Sequence, residues 1–174
     1  MLGASKVQTW TETLPAGVAI HGSGDFDKDG LEDVAVTGGG NVSLLLSLPG
    51  GNYTTTAFGA APSGTTLAGT EDINGDRSKD LVFTNPTTGL VTMWIMQATV
   101  RKTIVSWTLP AGETLVGLGD FDGDGHADVL TQDQNRHLSF WSELSTGSFS
   151  ESGIGLDPVA AVPTRWSVVA AQTH

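Results

Sequence analysis

The chain is 174 residues long, 39% hydrophobic and 16% charged, with 23 glycines, no cysteine and a formal net charge of −11. That apolar content excludes a disordered tail. The missing cysteines exclude disulfides and thiolate metal sites, and the acidity argues against nucleic acid and anionic membranes as partners. The longest apolar runs, such as Val42 to Leu48, are too short to span a bilayer, so no membrane insertion is expected. Met1 to Ala4 lacks the basic start and apolar run of a signal peptide.

In chain order, Lys6 to Trp10 is strand-like and has the pattern of the last strand of a repeat unit. Three acid-rich segments follow. The first reads Gly24-Asp-Phe-Asp-Lys-Asp-Gly-Leu-Glu-Asp-Val34, the second Glu71-Asp-Ile-Asn-Gly-Asp-Arg-Ser-Lys-Asp-Leu81, and the third Gly119-Asp-Phe-Asp-Gly-Asp-Gly-His-Ala-Asp-Val129. Their first aspartates, Asp25, Asp72 and Asp120, are 47 and 48 residues apart, and the segments hold five, four and four of the 19 acids. After each comes a short apolar run and then a turn: Gly38 to Asn41, Asn85 to Gly89, and Asp133 to Arg136. A second run begins at Val42, Val91 and Leu138. Trp10, Phe58 and Trp107 stand ahead of the repeats and read as packing between them.

Each unit therefore reads as four short strands, in the third unit roughly Thr114–Leu118, Ala127–Gln132, His137–Leu144 and Ser148–Gly153. Along the third of these strands, Leu138, Phe140 and Ser142 are expected to face one way and Trp141 the other. A four-stranded unit repeating about every 48 residues predicts β-propeller blades. The fold class is all-β: one domain over 1–174, with repeats at about 11–57, 58–106 and 107–153 and a partial fourth at 154–174. Trp166 to Thr173 has the pattern of the first strand of a further blade. Three units and two extra strands leave open edges. Three resolutions stay open: the chain is a fragment of a longer propeller, it self-associates, or it makes a small four-bladed ring.

Several carboxylates within nine residues repel one another unless a cation joins them. Numbered from the first Asp, positions 1, 3, 5 and 9 carry oxygen side chains, and position 7 would add its backbone carbonyl. Hard oxygens at alternate positions suit Ca²⁺. The candidate ligands are Asp25, Asp27, Asp29, Leu31 and Asp33; then Asp72, Asn74, Asp76, Ser78 and Asp80; then Asp120, Asp122, Asp124, His126 and Asp128. Gly30 and Gly125 occupy position 6, where the chain turns sharply, but Arg77 stands there in the second loop. With Asn74 also neutral, that loop is expected to be the weakest of up to three calcium sites. Position 12 holds Val36, Phe83 and Thr131 in place of a bidentate Glu, which excludes an EF-hand.

These segments resemble FG-GAP/VCBS repeats, the calcium-loop repeats of integrin-α-like propellers, over roughly residues 5–174. The resemblance implies a loop between the first two strands of each blade that binds Ca²⁺ through the positions above. It also implies an extracellular or cell-surface, secreted protein with a binding or adhesive role and a glycan or extracellular protein as ligand. Trp94 and Trp141 occupy equivalent places, with Leu46 assigned there in the first unit. They are candidates to stack on a sugar ring, and blade core is the competing reading, since a leucine serves in the same place. No Gly-x-Ser-x-Gly elbow, carboxylate pair or repeated histidine set supports an enzyme. The alternative to a binding module is a structural subunit that assembles through its strand edges.

Overall fold

The computed structural model describes residues 13–145 and 148–153, with side chains through Ser142. Within that span the chain is all-β and forms three four-stranded antiparallel sheets. Sheet one comprises β1 (Val18–Gly24), β2 (Asp33–Gly38), β3 (Asn41–Leu48) and β4 (Asn52–Ala60). Sheet two comprises β5 (Thr66–Glu71), β6 (Asp80–Asn85), β7 (Leu90–Gln97) and β8 (Val100–Thr108). Sheet three comprises β9 (Thr114–Gly119), β10 (Asp128–Gln132), β11 (Leu138–Ser145) and β12 (Ser148–Gly153). Within each sheet, every strand pairs with the next in sequence.

Local chemistry accounts for the hairpins. Gly39 and Gly40 have φ of 58° and 81° between β2 and β3, the left-handed pair that a two-residue hairpin turn requires. Between β6 and β7 the Asn85 side-chain oxygen accepts the N–H groups of Thr87 and Thr88, at 2.9 and 3.1 Å. The strands of the third unit fall within a residue of the expected bounds. Phe58 and Trp107 lie near the ends of the outer strands β4 and β8, where they pack against the two cores between sheets. Trp10, Lys6 to Trp10 and Trp166 to Thr173 lie outside the described residues. The propeller ring expected from them is not closed among the residues that are described.

The sheets stack face to face. One core joins sheets one and two and contains Phe26, Val42, Leu44, Leu67, Phe83 and Trp94. The other joins sheets two and three and contains Ile73, Val82, Val91, Met93, Leu118 and Val129. Period-two alternation lets β7 serve both: Trp94 and Met96 belong to the first core, Val91 and Met93 to the second. The middle sheet is thus buried on both faces, and for that reason β7 is apolar almost throughout.

Register corrects one alignment. Trp94 pairs with Leu81 and Trp141 with Val129, while in sheet one Val34 pairs with Leu45. Leu45, not Leu46, is the counterpart of the two tryptophans. Leu46 points to the opposite face, into the first core.

The first strands β1, β5 and β9 lie side by side and line a cleft of about 360 Å³ that includes His21, Thr70, Glu71 and Leu118. Their close approach depends on glycine. A Cβ at Gly22 would lie 3.2 Å from Thr70 Cγ2 and nearer still to its Oγ1, and one at Gly69 would lie 3.1 Å from Leu118 Cδ1. Both glycines sit three residues before the first loop aspartate, at a register shift in the pairing with the second strand.

Candidate metal centre

Each acid-rich loop leaves a first strand and enters the second at its position-9 aspartate, so all three loops emerge at the same end of the stack. Positions 4 and 6 both take left-handed φ: Lys28 at 67° and Gly30 at 88°, Gly75 at 70° and Arg77 at 66°, Gly123 at 83° and Gly125 at 89°. Position 4 was not anticipated from the sequence, although Gly75 and Gly123 already marked it. Loop two keeps the common backbone despite Arg77, which bears a cost of about 1–2 kcal/mol for a left-handed non-glycine residue.

The carboxylates are held by the loop's own N–H groups in a repeated pattern. Asp25 accepts from Asp29 and Gly30, both at 3.0 Å. Asp72 accepts from Asp76 at 3.1 Å and Arg77 at 2.7 Å. Asp120 accepts from Gly123 at 2.7 Å and Gly125 at 3.1 Å. At position 3, Asp27, Asn74 and Asp122 each accept from the N–H two residues on, at 3.1–3.2 Å. At position 5, Asp29, Asp76 and Asp124 do the same at 2.7–2.8 Å. The result gathers Asp25, Asp27 and Asp29 with one oxygen each inside 4.8 Å, and likewise Asp120, Asp122 and Asp124. Loop two offers Asp72 and Asp76 with the neutral Asn74 between them.

Position 9 does more than the sequence suggested. Asp33, Asp80 and Asp128 are completely buried. Asp33 accepts from Phe26 N–H and Ser47 N–H, both at 2.8 Å, and Asp80 from Ile73 N–H at 2.9 Å and Met96 N–H at 2.8 Å. Asp128 accepts from Phe121 N–H at 2.8 Å. In the first two loops the carboxylate ties the start of the loop to the third strand. A carboxylate oxygen has two lone pairs, so a clamp oxygen retains capacity for a cation.

The electrostatics follow from burial and crowding. Burial, with the negative charge of Asp72 and Asp76 added, pushes Asp80 up to about 7 against the pull of its Met96 and Ile73 hydrogen bonds. Burial first, then Asp122 and Asp124, push Asp128 up to about 6, opposed by the Phe121 N–H. Asp27 is raised by burial and by Asp33, Asp29 and Asp25. A bound cation reverses each of these penalties.

Position 7 varies most. Leu31 is exposed, Ser78 is buried with its hydroxyl accepting from Ala98 N–H at 3.1 Å, and the His126 ring lies against Gly75 of the preceding loop. Neighbouring loops also touch directly. Ala127 N–H donates to the Asp72 carbonyl at 2.8 Å, and Lys28 Nζ lies 3.4 Å from the Asp76 carbonyl. Lys79 lies against Gly24 and pairs with Glu71 at 2.7 Å.

Trp94 is not placed to stack on a sugar. It is 2% exposed, its ring centroid lies 4.7 Å from that of Phe83 and 6.1 Å from that of Phe58, and the Arg101 guanidinium covers it at 4.4 Å. The core reading fits this residue because sheet one and its own sheet fill the space around it. Trp141 is half-buried against the second core.

Residues 25–83 and 72–131 each match the family model for the FG-GAP-like repeat, together more than half of the chain. The chain belongs to this family. No curated protein and no solved structure matches it. Each match begins at the first aspartate of a loop and ends within the second strand of the next unit, so it spans one junction between sheets. FG-GAP-like repeats point to a propeller-type binding module, and the three stacked meanders agree with blades of that type. Among the described residues no helix is long and apolar enough to cross a membrane. The donor set is all oxygen and closely grouped, which fits a hard cation such as Ca²⁺ and not the nitrogen and sulfur preference of zinc.

Proposed function

We propose that this chain is a calcium-loaded binding module of the propeller type, secreted or displayed at a cell surface, that engages a glycan or an extracellular protein and is not an enzyme. The observation that carries the reading is the repeated loop. Three loops in register share the hydrogen bonds from the position-5, position-6 and position-7 N–H groups to positions 3, 1 and 5, and two of them gather three carboxylates within 4.8 Å. Asp25, Asp27, Asp29 and Asp33 would hold one ion, and Asp120, Asp122, Asp124 and Asp128 another. Asp72, Asn74, Asp76 and Asp80 would hold a weaker third. Calcium supplies charge neutralisation that lets the crowded carboxylates, and the loops they shape, stay in place.

Calcium titration by calorimetry, with melting in calcium and in chelator, tests this. Calcium at about 100 times its dissociation constant stabilises by roughly 2.7 kcal/mol per site, so chelator lowers the melting temperature by many degrees. Asp27→Ala and Asp122→Ala each remove one equivalent of bound calcium and cost more stability in calcium than Asn74→Ala. A chain that binds no calcium and melts identically in chelator overturns the reading. Glycan and matrix-protein arrays probed with the calcium-loaded chain then identify the ligand class.

A further inference from the structure

The sheets stack through one repeated contact. On its donor side, each sheet offers the position-2 loop residue and alternate residues of its second and third strands. Phe26, Ala35, Val42 and Leu44 do so in sheet one and Ile73, Val82, Val91 and Met93 in sheet two, and all eight are completely buried. The following sheet receives them on its opposite face, with Leu67, Leu81 and Trp94 in sheet two and Leu115, Val129 and Trp141 in sheet three.

At the outer sheets Leu130 and Val36, the counterparts of Val82 and Phe83, are still buried, but other positions of the two faces are uncovered among the described residues. Phe121, the counterpart of Phe26 and Ile73, is 38% exposed and lies beside Phe140, ring centroids 6.4 Å apart. Ile20, the counterpart of Leu67, is 62% exposed where Leu67 is 4% exposed. Around Ile20, a groove of about 520 Å³ is lined by Leu14, Val34, Leu45, Leu48 and Tyr53. The glycine notches follow suit. Gly22 receives Thr70 and Gly69 receives Leu118, while Gly117 meets, among the described residues, only Leu130 of its own sheet. The sheet-one residue in the place of Thr70 and Leu118 is the small Ser23.

We propose that a second copy of this chain docks on the open face of sheet one, presenting the Phe121–Phe140 face of its third sheet. The occupant follows from continuity: the sheet-one groove has the positions that twice receive a donor face of this repeat, and among the described residues the donor face with exposed positions is that of sheet three, at Phe121. The contact joins unlike faces, so two copies close a ring or further copies extend it. The proposal rests on the propeller-type reading but not on the calcium reading.

The test is solution mass by light scattering on the full chain. Wild type runs as a multiple of its 18.0 kDa mass. Ile20→Glu, which spoils the receiving groove, and Phe140→Glu, which spoils the donor face, each run as monomers. An equimolar mixture of the two gives a two-chain species and nothing larger, because each partner retains the face the other has lost. Should Phe140→Glu fail to fold by circular dichroism, Phe121→Gln takes its place. A wild-type monomer up to about 100 μM, its faces closed by the chain's own remaining residues or left bare, overturns the proposal. So does an assembly that survives both substitutions, or a mixture that stays monomeric. Calcium stoichiometry on the same samples separates the two readings, since a monomer that still binds calcium overturns the docking alone.

Discussion

Asp33→Ala separates a clamp from a cation ligand. The Asp33 carboxylate is completely buried and accepts the N–H groups of Phe26 and Ser47 at 2.8 Å each. Truncation leaves the buried Phe26 N–H without its acceptor and the half-buried Ser47 N–H partly so. An orphaned buried donor costs about 1–3 kcal/mol, so the expected loss is roughly 2–4 kcal/mol, a large share of the ~5–15 kcal/mol that holds a typical domain together. That loss does not depend on an ion and appears in urea denaturation both with calcium and with chelator. Asp27→Asn is the contrast. Burial, and then the charges of Asp33, Asp29 and Asp25, make its carboxylate harder to ionise in the fold, so neutralising it costs stability in calcium and is neutral or stabilising in chelator. If Asp33→Ala matches wild type in chelator, Asp33 serves only as an ion ligand and the clamp reasoning is wrong.

Arg77→Gly removes a left-handed non-glycine residue from loop two and raises stability by roughly 1 kcal/mol after the entropy cost of glycine; an unchanged urea midpoint contradicts the strain at this position. Gly22→Ala pushes a methyl group into Thr70 and costs about 1–3 kcal/mol, while Gly22→Ala with Thr70→Ala costs less than the sum of the singles; strictly additive losses would show that β1 and β5 do not pack as described. Asp80 and Asp128 ionise at about 7 and about 6 in the metal-free fold, above their ordinary 3.8. Their contribution is therefore full below about pH 4 and is lost as pH rises through those values. The chelated protein gains stability on acidification from pH 8 to 5.5, whereas with limiting calcium protons compete for the same oxygens and the trend reverses. A chelated urea midpoint that falls over that range refutes the assignment.

The repeat, the strand order and the loop positions that carry oxygen side chains could be read from the sequence because all three are local. Gly24 to Val34 and its two counterparts place oxygens at fixed spacing, Gly39-Gly40 dictates a hairpin, and alternation over Val42 to Leu46 is a property of one strand. The left-handed position 4 was equally local, and Gly75 and Gly123 marked it, but Lys28 in the first loop hid the pattern. What the sequence left undecided depends on partners distant along the chain. Asp33 becomes a clamp only because β3 returns Ser47 beside it, fourteen residues on. Trp94 becomes core because Phe58 of sheet one and Phe83 of its own sheet close over it. Phe26 and Phe121 have the same neighbours in sequence, yet one is fully buried and the other 38% exposed. Burial depends on whether another sheet lies against the residue, and only the stacking of the sheets decides that.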